Sequence, residues 1–253
     1  MDAIIETLAR ELSRDPVQVE NVVRLIDEGN TIPFIARYRK ELHGAMDDTT
    51  LRTLADRLQY LRNLAKRREE VRASIEGQGK LTEELAAALD AAATLAEVED
   101  LYRPYKPKRR TRATMAKEKG LEPLADALSA FGGPVDPAAL AAAYVDPEKG
   151  VETVEDALQG ASDIVAERIS DDAGLRKVLR ALYLRRGTLV SRAAEKEPED
   201  TVYRLYYDFQ APVSRVQGHQ VLAIDRGERE GVLKVSVDLD PEAAKVAVRR
   251  ASV

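Results

Sequence analysis

The sequence predicts a mainly α fold: a multi-helix N-terminal region with a long helical hairpin, then a small strand-containing segment near the C-terminus. Three observations carry this. Apolar residues recur at helical spacing through most of residues 1–197. Capping residues such as Asp15, Thr82, Thr94, Asp136 and Thr153 stand ahead of those runs. Apolar–polar alternation of the kind a half-buried strand needs is clear only at Leu233, Val235 and Val237. The expected division is a helical domain over 1–197 and an aromatic-rich helix and strand segment over 198–253.

Ile4, Ile5, Leu8 and Leu12 line one face of a first short helix. Asp15 caps a second, with Pro16 at its first position, where the missing N–H costs nothing, and Gln18 in capping-box register. Val19, Val22, Val23 and Ile26 form its apolar face and Gly29 ends it, so the two helices make a helix-turn-helix-like pair without a basic recognition helix. A long helix follows from about Thr49 to Ile75, with Leu51, Leu54, Leu58, Leu61 and Leu64 on one stripe; Gly77 and Gly79 break it. Thr82 opens an Ala-rich helix, and Thr94 with Glu97 forms a capping box ahead of Leu95, Val98 and Leu101, so the long helix and its successor make an antiparallel hairpin. Asp136-Pro137 and Thr153 start two more helices, and Leu175, Val178, Leu179 and Leu182 describe another that ends at Gly187. After Glu197-Pro198 the aromatics Tyr203, Tyr206, Tyr207 and Phe209 cluster, and the lone strand at Leu233–Val237 is expected to find its partners outside this sequence, with Glu242 to Val253 as a short tail.

Composition narrows the function. The hydrophobic fraction of 44% with 33% charged residues supports a buried core rather than a disordered chain. With no cysteine and only His43 and His219, a structural zinc site, a disulfide framework and a cysteine nucleophile are excluded or nearly so, and no metal or cofactor is expected. MDAIIETLAREL lacks the features of a signal peptide, and no run of about 18 apolar residues spans a membrane. These observations lead to the expectation of a cytoplasmic protein. No carboxylate pair, nucleophile or base stands at a familiar catalytic spacing, so the chain is expected not to be an enzyme.

The formal net charge of -5 conceals a local reversal. Arg103, Lys106, Lys108, Arg109, Arg110, Arg112, Lys117 and Lys119 stand against Glu118 alone, +7 in a stretch that leaves -12 for the rest. Pro104 and Pro107 push their preceding residues away from α geometry, so the segment is expected to run as an extended strap. Cations along such a path can neutralise successive phosphates of RNA or single-stranded DNA, with Tyr102 or Tyr105 offering a stacking face. Thr114 is expected to cap a helix over Met115 to Lys119, whose N-terminus also favours an anion. The competing reading is an electrostatic clasp with the protein's own acids or a docking partner, since Glu97, Glu99 and Asp100 immediately precede the strap.

A second motif is Ile32-Pro33-Phe34-Ile35-Ala36-Arg37-Tyr38-Arg39-Lys40-Glu41. Its apolar half must bury. Arg37, Arg39 and Lys40 either pair with nearby acids around a packed turn or extend the basic surface of the strap. Gly77-Gln78-Gly79-Lys80 is a helix terminator rather than a phosphate loop: Ser74 stands where the first glycine belongs and Leu81 follows Lys80. His219 reads as a structural or surface residue, and His43 beside Gly44 as a loop residue.

IPFIARYRKE at 32–41, Val98-Glu99-Asp100-Leu101-Tyr102, RPYKPKRRTRATMAKEKGLEPLA at 103–125 and YRLYYDFQAPVSRVQGHQVLAIDRGEREGVLKVSV at 203–237 together resemble the Tex family of bacterial transcription accessory proteins. The resemblance departs from the family pattern at Val216 to Gln220. It implies kinship with a eukaryotic transcription elongation factor and histone chaperone. It also implies a helical N-terminal region that precedes an RNase H-like domain, helix-hairpin-helix motifs and an OB-type RNA-binding barrel, none of which these residues contain. RNA or single-stranded DNA, and RNA polymerase or other transcription proteins, are the partners so implied. The expected role is a non-enzymatic transcription accessory scaffold using the strap. The alternative is a purely structural, protein-docking module with no nucleic-acid binding of its own.

Overall fold

A computed structural model describes residues 3–107, 109–130, 136–195 and 200–251. The chain divides into two compact units, one ending at Tyr102 and the other beginning at Arg103.

The first unit is all helix: α1 (Ala3–Leu12), α2 (Pro16–Asp27), α3 (Ile32–Tyr38), α4 (Lys40–His43), α5 (Asp48–Glu76), α6 (Glu83–Ala91) and α7 (Leu95–Tyr102). The leucine stripe of α5 is its spine, with Leu51, Leu54, Leu58 and Leu64 buried and Val71 and Ile75 extending the stripe. Helices α1, α2 and α3 pack on it from one end, while α6 and α7 run back along its other half, giving the expected hairpin. Local chemistry sets the boundaries. Asp15 accepts from the Val17 N–H, Asp47 from Thr50 and Thr82 from Leu85. The Thr94–Glu97 box forms with a shift: Glu97 N–H donates to Thr94 Oγ1 at 3.2 Å, and the Glu97 carboxylate accepts from Ala93 at 2.7 Å. Gln18 forms no box with Asp15; its amide lies against Gly44, where an added Cβ would stand 2.2 Å from Nε2.

Two readings of this unit are corrected. The motif beginning at Ile32 is a helix, not a packed turn: Ile35 is fully buried, Ile32 and Phe34 are half-buried, and the break comes at Arg39. His43 is a core residue rather than a loop residue, since Gly44 (φ +59) ends α4 one position later and leaves the imidazole inside.

The second unit begins with α8 (Arg112–Glu118), α9 (Glu122–Ser129), α10 (Pro137–Ala142), α11 (Val154–Asp171) and α12 (Ala173–Arg186). Small residues bring α8 and α11 close: Ala113, Ala116, Ala157 and Ala161 are buried together with Leu121, Leu124 and Ile164. Gly160 sits directly under Leu121, where a Cβ would stand 2.3 Å from Cδ1. Thr153 and Asp156 form a complete capping box on α11.

Beyond Gly187 the chain forms β1 (Thr188–Ala193), β2 (Asp208–Pro212), α13 (Gly218–Arg229), β3 (Leu233–Asp238) and α14 (Pro241–Ala251). The strands make an antiparallel sheet in the order β2-β1-β3. The expectation that β3 lacks partners here is therefore overturned: Leu233, Val235 and Val237 lie opposite Ala193, Ser191 and Leu189 of β1. The division expected at 197/198 falls between β1 and β2, at residues outside those described. The stretch after Pro241 is a helix rather than a short tail. Helix α13 packs on β3, and Gly227 permits it, because a Cβ there would lie 2.6 Å from Leu233 Cδ1 and 3.1 Å from the Tyr203 ring. Among the described residues no helix is long and apolar enough to cross a membrane.

Candidate functional site

The strap connects α7 to α8. Residues Arg103 to Tyr105 form a turn, Lys106 a bend, and Pro107 and Arg109 to Thr111 lack regular structure. The turn at Arg103 to Tyr105 departs from the extended path expected from its prolines. Lys108 lies outside the described residues.

Helix α8 starts at Arg112, capped by Thr111 rather than Thr114. The Thr111 hydroxyl accepts from the Thr114 N–H at 3.0 Å and donates to Glu167 Oε1 at 3.0 Å. Capping three residues earlier pulls Arg112 out of the strap and onto the first turn of the helix.

Two carboxylates of α11, one turn apart, face this region. Arg103 Nε donates to Asp171 at 3.0 Å, and Lys117 Nζ lies 3.8 Å from Glu167. Lys119 donates to the Gly150 carbonyl at 2.7 Å, and Arg110 reaches Glu118 at 2.5 Å. Tyr105 and Lys106 also make contacts within the protein. Arg109 and Arg112 are exposed and have no hydrogen-bond or ion-pair partner among the described residues.

These pairs differ in strength. Asp171 is only 12% exposed, so its bond to Arg103 is shielded on the acid side, whereas the Arg110 and Glu118 side chains are 67% and 50% exposed. An exposed pair of the second kind contributes about 0–1 kcal/mol, so a competing phosphate can displace it. Arg103, Lys117 and Lys119 are thus clasped, while Arg109 and Arg112 stay open among the described residues. Glu167 and Asp171 are the contacts of the candidate site that sequence reasoning missed. Their i, i+4 spacing was visible, but their direction was not.

The tyrosines diverge. Tyr102 is 9% exposed, shares a hydrogen bond of 3.0 Å with Ser74 and lies 5.6 Å beneath the Arg67 guanidinium. Its ring belongs to the first unit's core and offers no stacking face. Tyr105 is half-buried.

Arg37, Arg39 and Lys40 belong to the first unit, whereas the strap belongs to the second. Arg37 and Lys40 are exposed and, among the described residues, have no acceptor. Arg39 donates to the Tyr38 carbonyl at 3.1 Å and lies 5.2 Å over the Phe34 ring. The acid pairing weighed for these residues is absent among the described residues.

His219 is exposed at the start of α13. Gly77 caps α5 and Gly79 turns the chain at φ +67, as expected of a terminator. Among the described residues no three His, Asp or Glu side chains converge as metal ligands would.

The arrangement is a mainly helical protein of two units, the second beginning with a basic strap and ending with a small antiparallel sheet and its helices. Residues 2–76 match the Tex-like protein N-terminal domain, and residues 134–252 match the Tex central region-like domain. This chain belongs to the Tex family. It is 48% identical over 240 residues to Protein tex of Bordetella pertussis, covering 94% of this chain and 30% of that protein. It is 44% identical over 240 residues to Transcriptional accessory protein Tex of Neisseria gonorrhoeae, covering 94% and 31%. To S1 RNA-binding domain-containing protein 1 of Homo sapiens it is 32% identical over 245 residues, covering 93% and 24%. The chain therefore spans about a third of the length of these bacterial relatives.

Proposed function

We propose that this region is a non-enzymatic scaffold of a cytoplasmic transcription accessory protein, and that its strap holds RNA or single-stranded DNA by the phosphates in association with the transcription machinery. The relative named as a transcriptional accessory protein supports the transcriptional part. The observation that carries the nucleic-acid part is the exposed pair Arg109 and Arg112, which have no acceptor among the described residues, with the exchangeable Arg110 between them. Each phosphate neutralised on a single strand steepens the dependence of log affinity on log salt by about 0.7.

The test is fluorescence anisotropy of the full chain with a labelled 12-nucleotide RNA across a salt series. The Arg109→Glu/Arg112→Glu variant is expected to weaken binding about tenfold or more and to flatten the salt slope. Unchanged affinity removes the strap from the reading.

A specific observation favours a second reading. Arg103, Lys117 and Lys119 are held by Asp171, Glu167 and the Gly150 carbonyl. A strap of that kind braces the second unit and docks proteins. On this reading the chain binds no nucleic acid at low salt, and strap variants lose stability instead.

A further inference from the structure

We infer that α3 and the start of α4 form a second contact for single-stranded nucleic acid, in the first unit, where Tyr38 stacks on a base and Arg37, Arg39 and Lys40 meet the flanking phosphates. This inference rests on the nucleic-acid reading above but not on the strap.

The first unit is acidic: residues 1–102 hold 14 Lys and Arg against 20 Asp and Glu. Its long helix α5 compensates its own cations. Each of the six arginines of α5 has an acceptor: Arg52 has Asp48, Arg57 has Glu11, Arg62 has Asp27, Arg67 has Glu99, Arg68 has the Ala92 carbonyl and Arg72 has Asp90. Against that pattern, none of the three cations between 37 and 40 has a carboxylate among the described residues.

The aromatic geometry supplies the other half. Ile35 is fully buried and fixes α3 against α5, which turns the remaining face outward. Phe34 and Tyr38 stand one turn apart on α3 with ring centroids at 5.2 Å. Arg39 covers Phe34, while Tyr38 stays 57% exposed. A rigidly mounted open ring beside cations that have no carboxylate among the described residues suits a splayed base with its phosphates. An acidic protein segment would use the cations and have little use for the ring.

The experiment uses the full chain with a labelled 12-nucleotide RNA and an abasic phosphodiester of the same length. Tyr38→Ala is expected to weaken RNA binding roughly 5- to 100-fold, the range for one lost base stack, and to leave the abasic probe unaffected. Tyr38→Phe keeps the ring and restores binding. The ring projects from the surface, so the circular dichroism melt should not move. Tyr38→Ala binding RNA like the parent overturns the inference, as does an equal loss on both probes, which would mark a purely electrostatic surface for acidic partners. If Arg109→Glu/Arg112→Glu alone abolishes binding while Tyr38→Ala has no effect, only this second contact fails. Absence of any binding by the parent at 50 mM salt overturns the nucleic-acid reading and this inference with it.

Discussion

The Thr111 hydroxyl donates to Glu167 at 3.0 Å while the other oxygen of the same carboxylate lies 3.8 Å from Lys117. One acid on α11 thus holds both ends of α8, and it competes with any polyanion for Lys117. Glu167→Ala should lower stability by about 1–2 kcal/mol, the scale of a lost buried-side hydrogen bond. It should also raise affinity for single-stranded RNA by releasing a cation. Urea unfolding and anisotropy on one preparation separate the two effects. A fall in affinity alongside stability would show that the clasp shapes the strap rather than competing with its ligand.

Gly160 tests the packing beneath the strap. Its neighbours, Leu121 and Ala116, leave no room for a branched side chain. Gly160→Val is expected to destabilise the second unit by about 1–3 kcal/mol through overpacking. Adding Leu121→Ala should recover part of that loss, measured by urea midpoint.

His43 gives different expectations for two substitutions. Its Nε2–H donates to the Ile35 carbonyl at 3.2 Å, and its Nδ1 is buried without a partner among the described residues. The Ile35 carbonyl also accepts from the Arg39 N–H at 3.0 Å, so it stays satisfied when the imidazole is removed. His43→Met should therefore stay within about 1 kcal/mol of the parent, because the orphan acceptor disappears with the hydrogen bond. His43→Ala leaves a cavity and should cost about 2–4 kcal/mol. Thermal melts of both variants check the pair.

Two ion pairs of the first unit predict an acid-side loss of stability. The hydrogen bond from Arg57 holds the Glu11 carboxyl below its ordinary range, and that from Arg62 does the same for Asp27. A carboxyl with a depressed folded value stabilises fully above its unfolded value, about 4, and loses that contribution as pH falls through the folded value. Both pairs are partly solvated, so the effect is small and salt-sensitive. Urea midpoints at pH 7 and pH 3 should differ less in Glu11→Gln/Asp27→Asn than in the parent.

Helix boundaries were legible in the sequence because their chemistry is local: Asp15, Thr82, Asp136 and Thr153 each act within three residues of themselves. β1 was not. It is a central strand carrying Ser191 and Arg192, and its partners stand well beyond it in sequence, so no short window shows the alternation that pairing explains. The site was half legible for the same reason. Composition located the cations, but Thr111 and Arg103 find their acceptors 56 and 68 residues away, and those distances decide which cations stay open. Tyr102 misled because an aromatic beside a basic run looks the same whether its ring faces water or the core.

The middle position of β1 bears on how the chain is made. During synthesis its six residues leave the ribosome with both backbone edges unsatisfied, and the second edge stays so until residue 238 has emerged. By then the helices up to Tyr102 have had time to collapse as an independent body. A released chain truncated between residues 212 and 232 therefore displays a two-stranded ribbon with one naked side. That interval is where a chaperone would be needed, and where truncated products should self-associate.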